Sequence, residues 1–348
     1  MKVGLVGFPR AGKTTLFNAL TGLSVEVGGF ESKREPTLSV VKVPDPRVDA
    51  LSEIVHPKEK KYAEVTFLDF PPSQERKAAL EPQSLVQMRE VDALAQVVGA
   101  FNDPMATEPS QPLRDLNAFQ TELILADLGV IEKRLERLKK EKGKEREQDL
   151  LTRCQAALED EKPLRVLEVL PEDSTILSGF AFLSQKPLLI VYNTDETALH
   201  DDLPPGIQEY ASAQNLVVVP VCGKLEMEIA QLDEEERGVF LTELELSESA
   251  RDRFIRYAYE HLRLMSFFTA GPMEVRAWTI TLTTPAVHAA GKIHSDIERG
   301  FIRAEVISYH DYIEHQGESG CRSVGKLRLE GKDYVVQDGD VMHIRFNV

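Results

Sequence analysis

Cysteine is scarce: Cys154, Cys222 and Cys321 are the only three among 348 residues, far apart and without CxxC spacing. Neither a disulfide framework nor a zinc site is therefore indicated, and reduced thiols are expected. Positive charge is also short, with 41 Lys and Arg against 57 Asp and Glu, a formal charge of −16. Sequence-blind binding to duplex DNA depends on Lys and Arg neutralising phosphates, so duplex DNA is not an expected partner and any RNA contact must come from a local patch. No apolar run approaches membrane-spanning length, and no charged leader with an apolar segment precedes the first strand, so the expected location is the cytoplasm with no membrane partner. Five of the eight histidines fall in the last eighty residues, but without metal-ligand spacing. No internal repeat or low-complexity segment is present. What remains is a chain long enough for two or three domains, expected to be a monomer.

What is present begins with Gly7-Phe8-Pro9-Arg10-Ala11-Gly12-Lys13-Thr14, which fits G-x-x-x-x-G-K-[ST]. It lies between an apolar run, Val3 to Val6, and a helix-like stretch from Thr15 to Leu20. A phosphate loop works only at such a strand-to-helix turn, where backbone N–H groups and the helix N-terminus face phosphate oxygens. Lys13 is then expected to reach the β and γ phosphates and the Thr14 hydroxyl to ligate Mg²⁺. Gly7, Arg10, Ala11, Gly12, Lys13, Thr14 and Thr15 form the first group of nucleotide-binding candidates.

Strands are expected at Lys2–Val6, Leu38–Val43, Tyr62–Asp69 and Ala93–Ala100, with helices from Thr14 and near Ser84–Val91, a pattern that predicts a parallel-rich sheet flanked by helices. From Leu116 the period changes: Ile124, Leu128, Ile131, Leu135 and Leu138 are spaced alternately four and three apart. A second seam through Leu151, Cys154 and Leu158 predicts an antiparallel helical hairpin with its tip near Lys142–Lys144. There Lys133, Arg134, Arg137, Lys139, Lys140, Lys142, Lys144 and Arg146 outnumber the acids, which fits a solvated charged face or an RNA-facing tip. Strands at Lys186–Tyr192 and Leu216–Val221 resume the α/β part. A helix over Ser247–Leu264 then leads to a break at Thr269–Pro272 and a separate α+β module, with strands at Val275–Thr281, Ala304–Ser308, Lys326–Leu329, Tyr334–Val336 and Val341–Val348. The expected divisions are 1–115 and 185–268 for the nucleotide-binding domain, 116–184 for the helical insertion and 269–348 for the last module.

Asp69 ends the strand-like Val65-Thr66-Phe67-Leu68-Asp69 and is the candidate carboxylate for Mg²⁺ opposite the phosphate loop. Base recognition is expected after the next buried strand, at Asn193-Thr194-Asp195-Glu196, where Asn193 also fits a turn residue capping the next helix. Guanine-specific N-K-x-D uses a Lys stem over the base and an Asp against guanine N1 and N2. Thr194 is too short for the first task and Glu196 stands in place of Asp, so ATP is expected over GTP. Cys222, directly after Leu216–Val221, completes the nucleotide-binding candidates with Asn193, Thr194 and Glu196.

The chain resembles the YchF/Obg-like ATPases, a branch of the P-loop GTPases. The resemblance rests on Thr121–Leu128 with Glu132–Leu135, on Phe267–Gly271 and Glu274–Thr279, and on Ala289–Asp296, Arg299–Glu305 and Glu330–Val341. It implies a P-loop NTPase domain, an inserted α-helical coiled-coil hairpin and a C-terminal β-grasp-like TGS domain. It also implies an ATP-preferring nucleotidase reading the base with Asn193 and Glu196, and association with ribosomes or RNA.

Departures from that family cluster at the nucleotide site. Arg10 stands where Asn is usual, a residue linked in related GTPases to a monovalent cation near the phosphates; a guanidinium could supply that charge or salt-bridge at the surface. The segment Asp69-Phe70-Pro71-Pro72-Ser73 replaces D-x-A-G-L, and proline has no N–H for a γ-phosphate. The switch threonine aligns with Lys33, four residues before Thr37. The proposed catalytic His aligns with Glu108, either a group that orients water or an exposed loop acid. Lys13, Arg10 and Glu108 are the catalytic candidates. A slow ATPase and a nucleotide-regulated binding module with little hydrolysis both fit this set, and GTP as ligand stays open.

Overall fold

The computed structural model describes residues 1–25, 35–71, 82–102, 109–244, 246, 248–261 and 263–347. In chain order the first elements are β1 (Lys2–Val6), α1 (Lys13–Thr21), β2 (Thr37–Val43), α2 (Pro46–Val55), β3 (Glu59–Lys61), β4 (Ala63–Asp69), α3 (Pro82–Met88) and β5 (Ala93–Ala100). The long helices α4 (Pro112–Leu138) and α5 (Glu145–Glu159) follow, then α6 (Pro171–Ser178), β6 (Leu188–Thr194), α7 (Pro205–Ala213), β7 (Val217–Val221), α8 (Gly223–Ile229), α9 (Glu234–Glu243) and α10 (Ala250–His261). The last elements are β8 (Leu264–Ala270), β9 (Glu274–Thr281), α11 (Ala286–Ile293), α12 (Ser295–Arg299), β10 (Phe301–Ser308), α13 (Tyr309–Glu314), α14 (Glu318–Ser323), β11 (Arg328–Glu330) and β12 (Asp340–Phe346).

One sheet has the order β2-β4-β1-β5-β6-β7. Its central strands are parallel, with Leu5 opposite Asp69, Val6 opposite Gln96, Ala100 opposite Thr194 and Asn193 opposite Val221. Parallel strands in this register end along one edge, so the residues after β1, β4, β5, β6 and β7 share it, as ligand-binding residues do in open α/β sheets. The burial of β5 and β6 on both faces explains why they read as continuous apolar runs.

Helices α4 and α5 form the expected hairpin. Ile124, Ile131 and Leu138 pack against Leu150, Leu151, Cys154 and Leu158, with Leu128 and Leu135 partly buried beside them. Gly143, at φ 76°, lets the chain turn in the short connection between the two helices. At the root, fully buried Asp127 accepts hydrogen bonds from Leu183 N at 3.0 Å, Ser184 N at 2.7 Å and Arg89 Nη1 at 3.2 Å.

The chain divides into two compact units, residues 2–39 with 66–254, and residue 1 with 40–65 and 255–348. This differs from the divisions expected from sequence, which gave 40–65 to the nucleotide-binding domain and began the last module at 269. Within the second unit the sheet order is β11-β10-β12-β8-β9-β3, and β3 pairs parallel to β9 through Glu59 and Glu274. Phe267, Ile280, Ala286, Ala289, Ala290, Val306 and Met342 fill its core. From α2, Arg47 lies 4.9 Å over the Phe268 ring and donates to Asp338 at 2.7 Å.

Two expected elements are corrected. The helix over Ser247–Leu264 ends at His261: Arg263 takes a left-handed φ of 50°, and Leu264 begins β8. Tyr334–Val336 is not a strand. Val335 makes one isolated bridge to Pro285, while Val336 is buried and Tyr334 donates to Asp340 at 2.7 Å.

Candidate phosphate-loop site

The turn after β1 uses backbone conformations that its sequence permits at glycine. Gly7 has φ 133° and Gly12 φ 91°. A Cβ at Gly7 would collide with the Val97 carbonyl oxygen, and one at Gly12 with the Asn193 amide nitrogen. Both positions are closed to larger residues by conformation and by space. Gly12 caps α1, whose first residue is Lys13, so the first-turn N–H groups face the mouth of the loop.

Lys13 is buried, 7 % exposed, with Nζ donating to Gly7 O at 2.8 Å and Phe8 O at 2.9 Å. Burial pushes its pKa down to about 8, a fall opposed by the charge of Asp69. The Thr14 hydroxyl donates to Asp69 Oδ2 at 2.8 Å, across 55 residues of sequence. The two expected metal ligands are thus brought into contact, one hydroxyl and one carboxylate, the hard oxygen donors that suit Mg²⁺. Thr15 is half-buried in the first turn, and Ala11 is buried.

Asn193 is directed inward. Its amide nitrogen donates to Ala11 O at 3.0 Å and its Oδ1 accepts from Gly223 N at 2.9 Å. It therefore fastens the phosphate loop to the end of β6 and to the start of α8. Thr194 is buried beside it, whereas Glu196 is exposed in a short 3₁₀ turn, Glu196–Ala198. Burial pushes the Cys222 thiol up; backbone N–H groups of Leu225 and Lys224 oppose this, and the charges of Glu196 and Asp195 add to it. Cys222 thus lies within electrostatic reach of Glu196.

Arg10 is exposed and holds φ 68°, a conformation that costs most L residues about 1–2 kcal/mol and that Asn and Gly adopt readily. Glu108, Lys33 and the Pro72-Ser73 part of the switch-like segment lie outside the described residues. Thr37 opens β2 and is half-buried.

Three contributors were not singled out from sequence. Gly223 donates to Asn193, and a Cβ there would lie 3.1 Å from Asn193 Oδ1; a glycine directly after Cys222 was the available signal. Asp195 accepts from Asn102 N at 3.1 Å, tying the base-motif turn to the end of β5. Phe101 places its ring edge 3.4 Å from a Cβ at Gly99 and 3.8 Å from one at Gly12, an aromatic surface next to the loop.

Comparison with known proteins agrees with this geometry. Residues 2–128 match the family described as "50S ribosome-binding GTPase", and residues 264–347 match the YchF-GTPase C-terminal family, described as "Protein of unknown function (DUF933)". The chain is 41 % identical to the "Ribosome-binding ATPase YchF" of Bacillus subtilis, over 100 % of both chains. It is 41 % identical to the protein of the same name from Escherichia coli O157:H7, covering 100 % of this chain and 99 % of that one. The solved structure of the Schizosaccharomyces pombe YchF GTPase is 30 % identical, with a TM-score of 0.84 and coverage of 99 % of this chain and 97 % of that one. A GTP-binding protein from Pyrococcus horikoshii shares the fold at 20 % identity and a TM-score of 0.62. With full-length relatives at this identity and a matching structure, the chain belongs to the YchF family.

Proposed function

We propose that the chain binds a purine nucleoside triphosphate with Mg²⁺, prefers ATP over GTP, hydrolyses it slowly and associates with ribosomes. The observation that carries the reading is the contact of Thr14 with Asp69 beside buried Lys13, since this is the donor set a magnesium–triphosphate complex requires. Lys13 and the α1 N-terminus would hold the phosphates, and Thr14 and Asp69 the ion. The ion, when bound, offsets charge on the β and γ phosphates. Phe101 offers a ring for base stacking, and Thr194 and Glu196 lack the groups that read guanine. The relatives named ribosome-binding ATPases support ATP and the ribosome as ligand and partner. The ribosome contact is assigned to the hairpin tip, the working compartment to the cytoplasm and the working form to the monomer.

A second reading, a nucleotide-regulated binder with little hydrolysis, is favoured by Pro71-Pro72 where the family has Ala-Gly, because Pro72 cannot donate an N–H to a γ-phosphate. Arg10 would supply part of the lost charge stabilisation. Calorimetric titration with non-hydrolysable ATP and GTP analogues in Mg²⁺ tests ligand identity, and equal or tighter binding of the GTP analogue overturns the adenine preference. Phosphate release under saturating ATP then separates the slow enzyme from the binder.

A further inference from the structure

Asp69 turns toward Thr14, and the next residue turns the other way. Phe70 is 4 % exposed and shares an apolar cluster with Met88 and Val91, at and just after the end of α3, and with Phe119 and Leu123 of α4. Its ring occupies space that β1 leaves by carrying glycine: a Cβ at Gly4 would lie 2.8 Å from Phe70 Cε2. The residue adjoining the candidate metal carboxylate is thus wedged against the root of the helical hairpin.

A polar joint lies one turn further along the same helix. Asp127 is four residues beyond Leu123, on the same side of α4. It pairs with Arg89, which directly follows Met88 and also donates to Ala181 O at 2.9 Å. The end of β4 and the end of α3 are therefore joined to α4 by an apolar contact and by an ion pair whose carboxylate is buried. Close-packed interiors pass on displacements because there is no void to absorb them. From Leu123 to its end at Leu138, α4 spans about 22 Å, so a rotation of about 5° at the root moves that end by about 2 Å.

We propose that Phe70 is a positioning residue that transmits occupancy of the phosphate-loop site to the helical hairpin, with the Arg89–Asp127 pair keeping the joint in register. The inference rests on the nucleotide-binding reading above. Its test is amide hydrogen exchange across residues 116–131 of the full chain, with and without Mg²⁺ and a non-hydrolysable ATP analogue, beside calorimetric titration of the same samples. Wild type, Phe70→Leu and Ile280→Val are compared, the last a buried truncation in the other unit that controls for general loosening. In wild type the analogue is expected to slow exchange at the α4 root about tenfold, in the usual range of coupling between sites. In Phe70→Leu the effect is expected to fall to about twofold or less while affinity stays within about threefold, and Ile280→Val is expected to respond as wild type does. If Phe70→Leu does not fold, Leu123→Val, a smaller truncation on the α4 side of the same contact, takes its place, with the same reduced response expected. A full response in the Phe70 or Leu123 variant, or saturable binding without any response in wild type, overturns the proposal. Absence of binding to wild type overturns the nucleotide reading itself, and the inference with it.

Discussion

Asn193 donates its side-chain amide to the carbonyl of Ala11, 182 residues earlier, at 3.0 Å. With its other end accepting from Gly223 N, one buried side chain holds three turns of the same sheet edge together. This makes Asn193 a brace of the phosphate loop.

Replacing Asn193 by Ala leaves a buried carbonyl and a buried N–H without their partner. Each such orphaned group costs about 1–3 kcal/mol. Asn193→Ala is therefore expected to lower the melting temperature and to weaken triphosphate binding together. Asn193→Asp keeps the acceptor for Gly223 but cannot donate to Ala11, so thermal melting should place it below wild type as well. Unchanged melting in both variants would show that the brace contributes nothing.

For Lys13 the expected signature is in pH. Its pKa falls from 10.5 to about 8 in the folded chain, so holding it charged costs on the order of 3 kcal/mol below that value. Between about 8 and 10.5 the unfolded chain binds a proton that the folded chain has released, so this group makes stability rise with pH over that window. A bound triphosphate favours the charged form and reverses the shift. Nucleotide binding at pH 8–9 should therefore take up protons and weaken as pH rises, seen by calorimetry in buffers of different ionisation enthalpy. Lys13→Ala should abolish triphosphate binding and the proton uptake without lowering the melting temperature.

Much of this site is legible in local sequence. Gly7, Gly12, Lys13 and Thr14 declare themselves because a phosphate loop is a contiguous pattern with its own strand and helix, and the seam from Ile124 to Leu158 declares the hairpin by period alone. Asn193 reads as a base-motif residue, and nothing near it in sequence shows that its amide also braces Ala11 and Gly223. The same limit explains β3: three residues after α2 carry no strand signal, and their partner Glu274 lies more than two hundred residues away. Arg89 and Asp127 are likewise ordinary charges on helical segments until the fold buries Asp127 against half-buried Arg89.

Arg10 yields a third expectation. Its left-handed backbone is one that Gly or Asn adopts at less cost, so Arg10→Gly and Arg10→Asn should melt no lower than wild type. If the guanidinium supplies the charge that a monovalent cation supplies elsewhere, wild-type hydrolysis should not respond when K⁺ replaces Na⁺, and Arg10→Asn should gain potassium stimulation. Clear stimulation of the wild type would remove that role from Arg10.

The partner surface follows from which cations are already paired. Arg134 donates to Glu141 at 2.8 Å and Glu147 at 2.7 Å, and Arg146 donates to Glu172 at 2.8 Å and Asp173 at 2.7 Å, so two of the tip's arginines are spent within the protein. Lys144 has Glu147 at 3.8 Å. Lys139, Lys140 and Lys142 are exposed and make no ion pair among the described residues. Residues 269–348, with nine Lys and Arg against eleven Asp and Glu, offer no comparable excess of positive charge. The three lysines should therefore supply most of the salt-dependent part of ribosome affinity. Changing all three to Glu is expected to weaken ribosome co-sedimentation and to flatten the slope of log K against log salt by about 2, since each phosphate that a lysine no longer neutralises removes about 0.7 from a single-strand slope. Nucleotide affinity should not change, because the three lie in the connection between α4 and α5, outside the residues that form the phosphate-loop site. Arg134→Ala should instead lower the melting temperature of the hairpin while sparing the salt slope. Unchanged sedimentation and slope in the triple variant would reduce the tip to a solvated charged face.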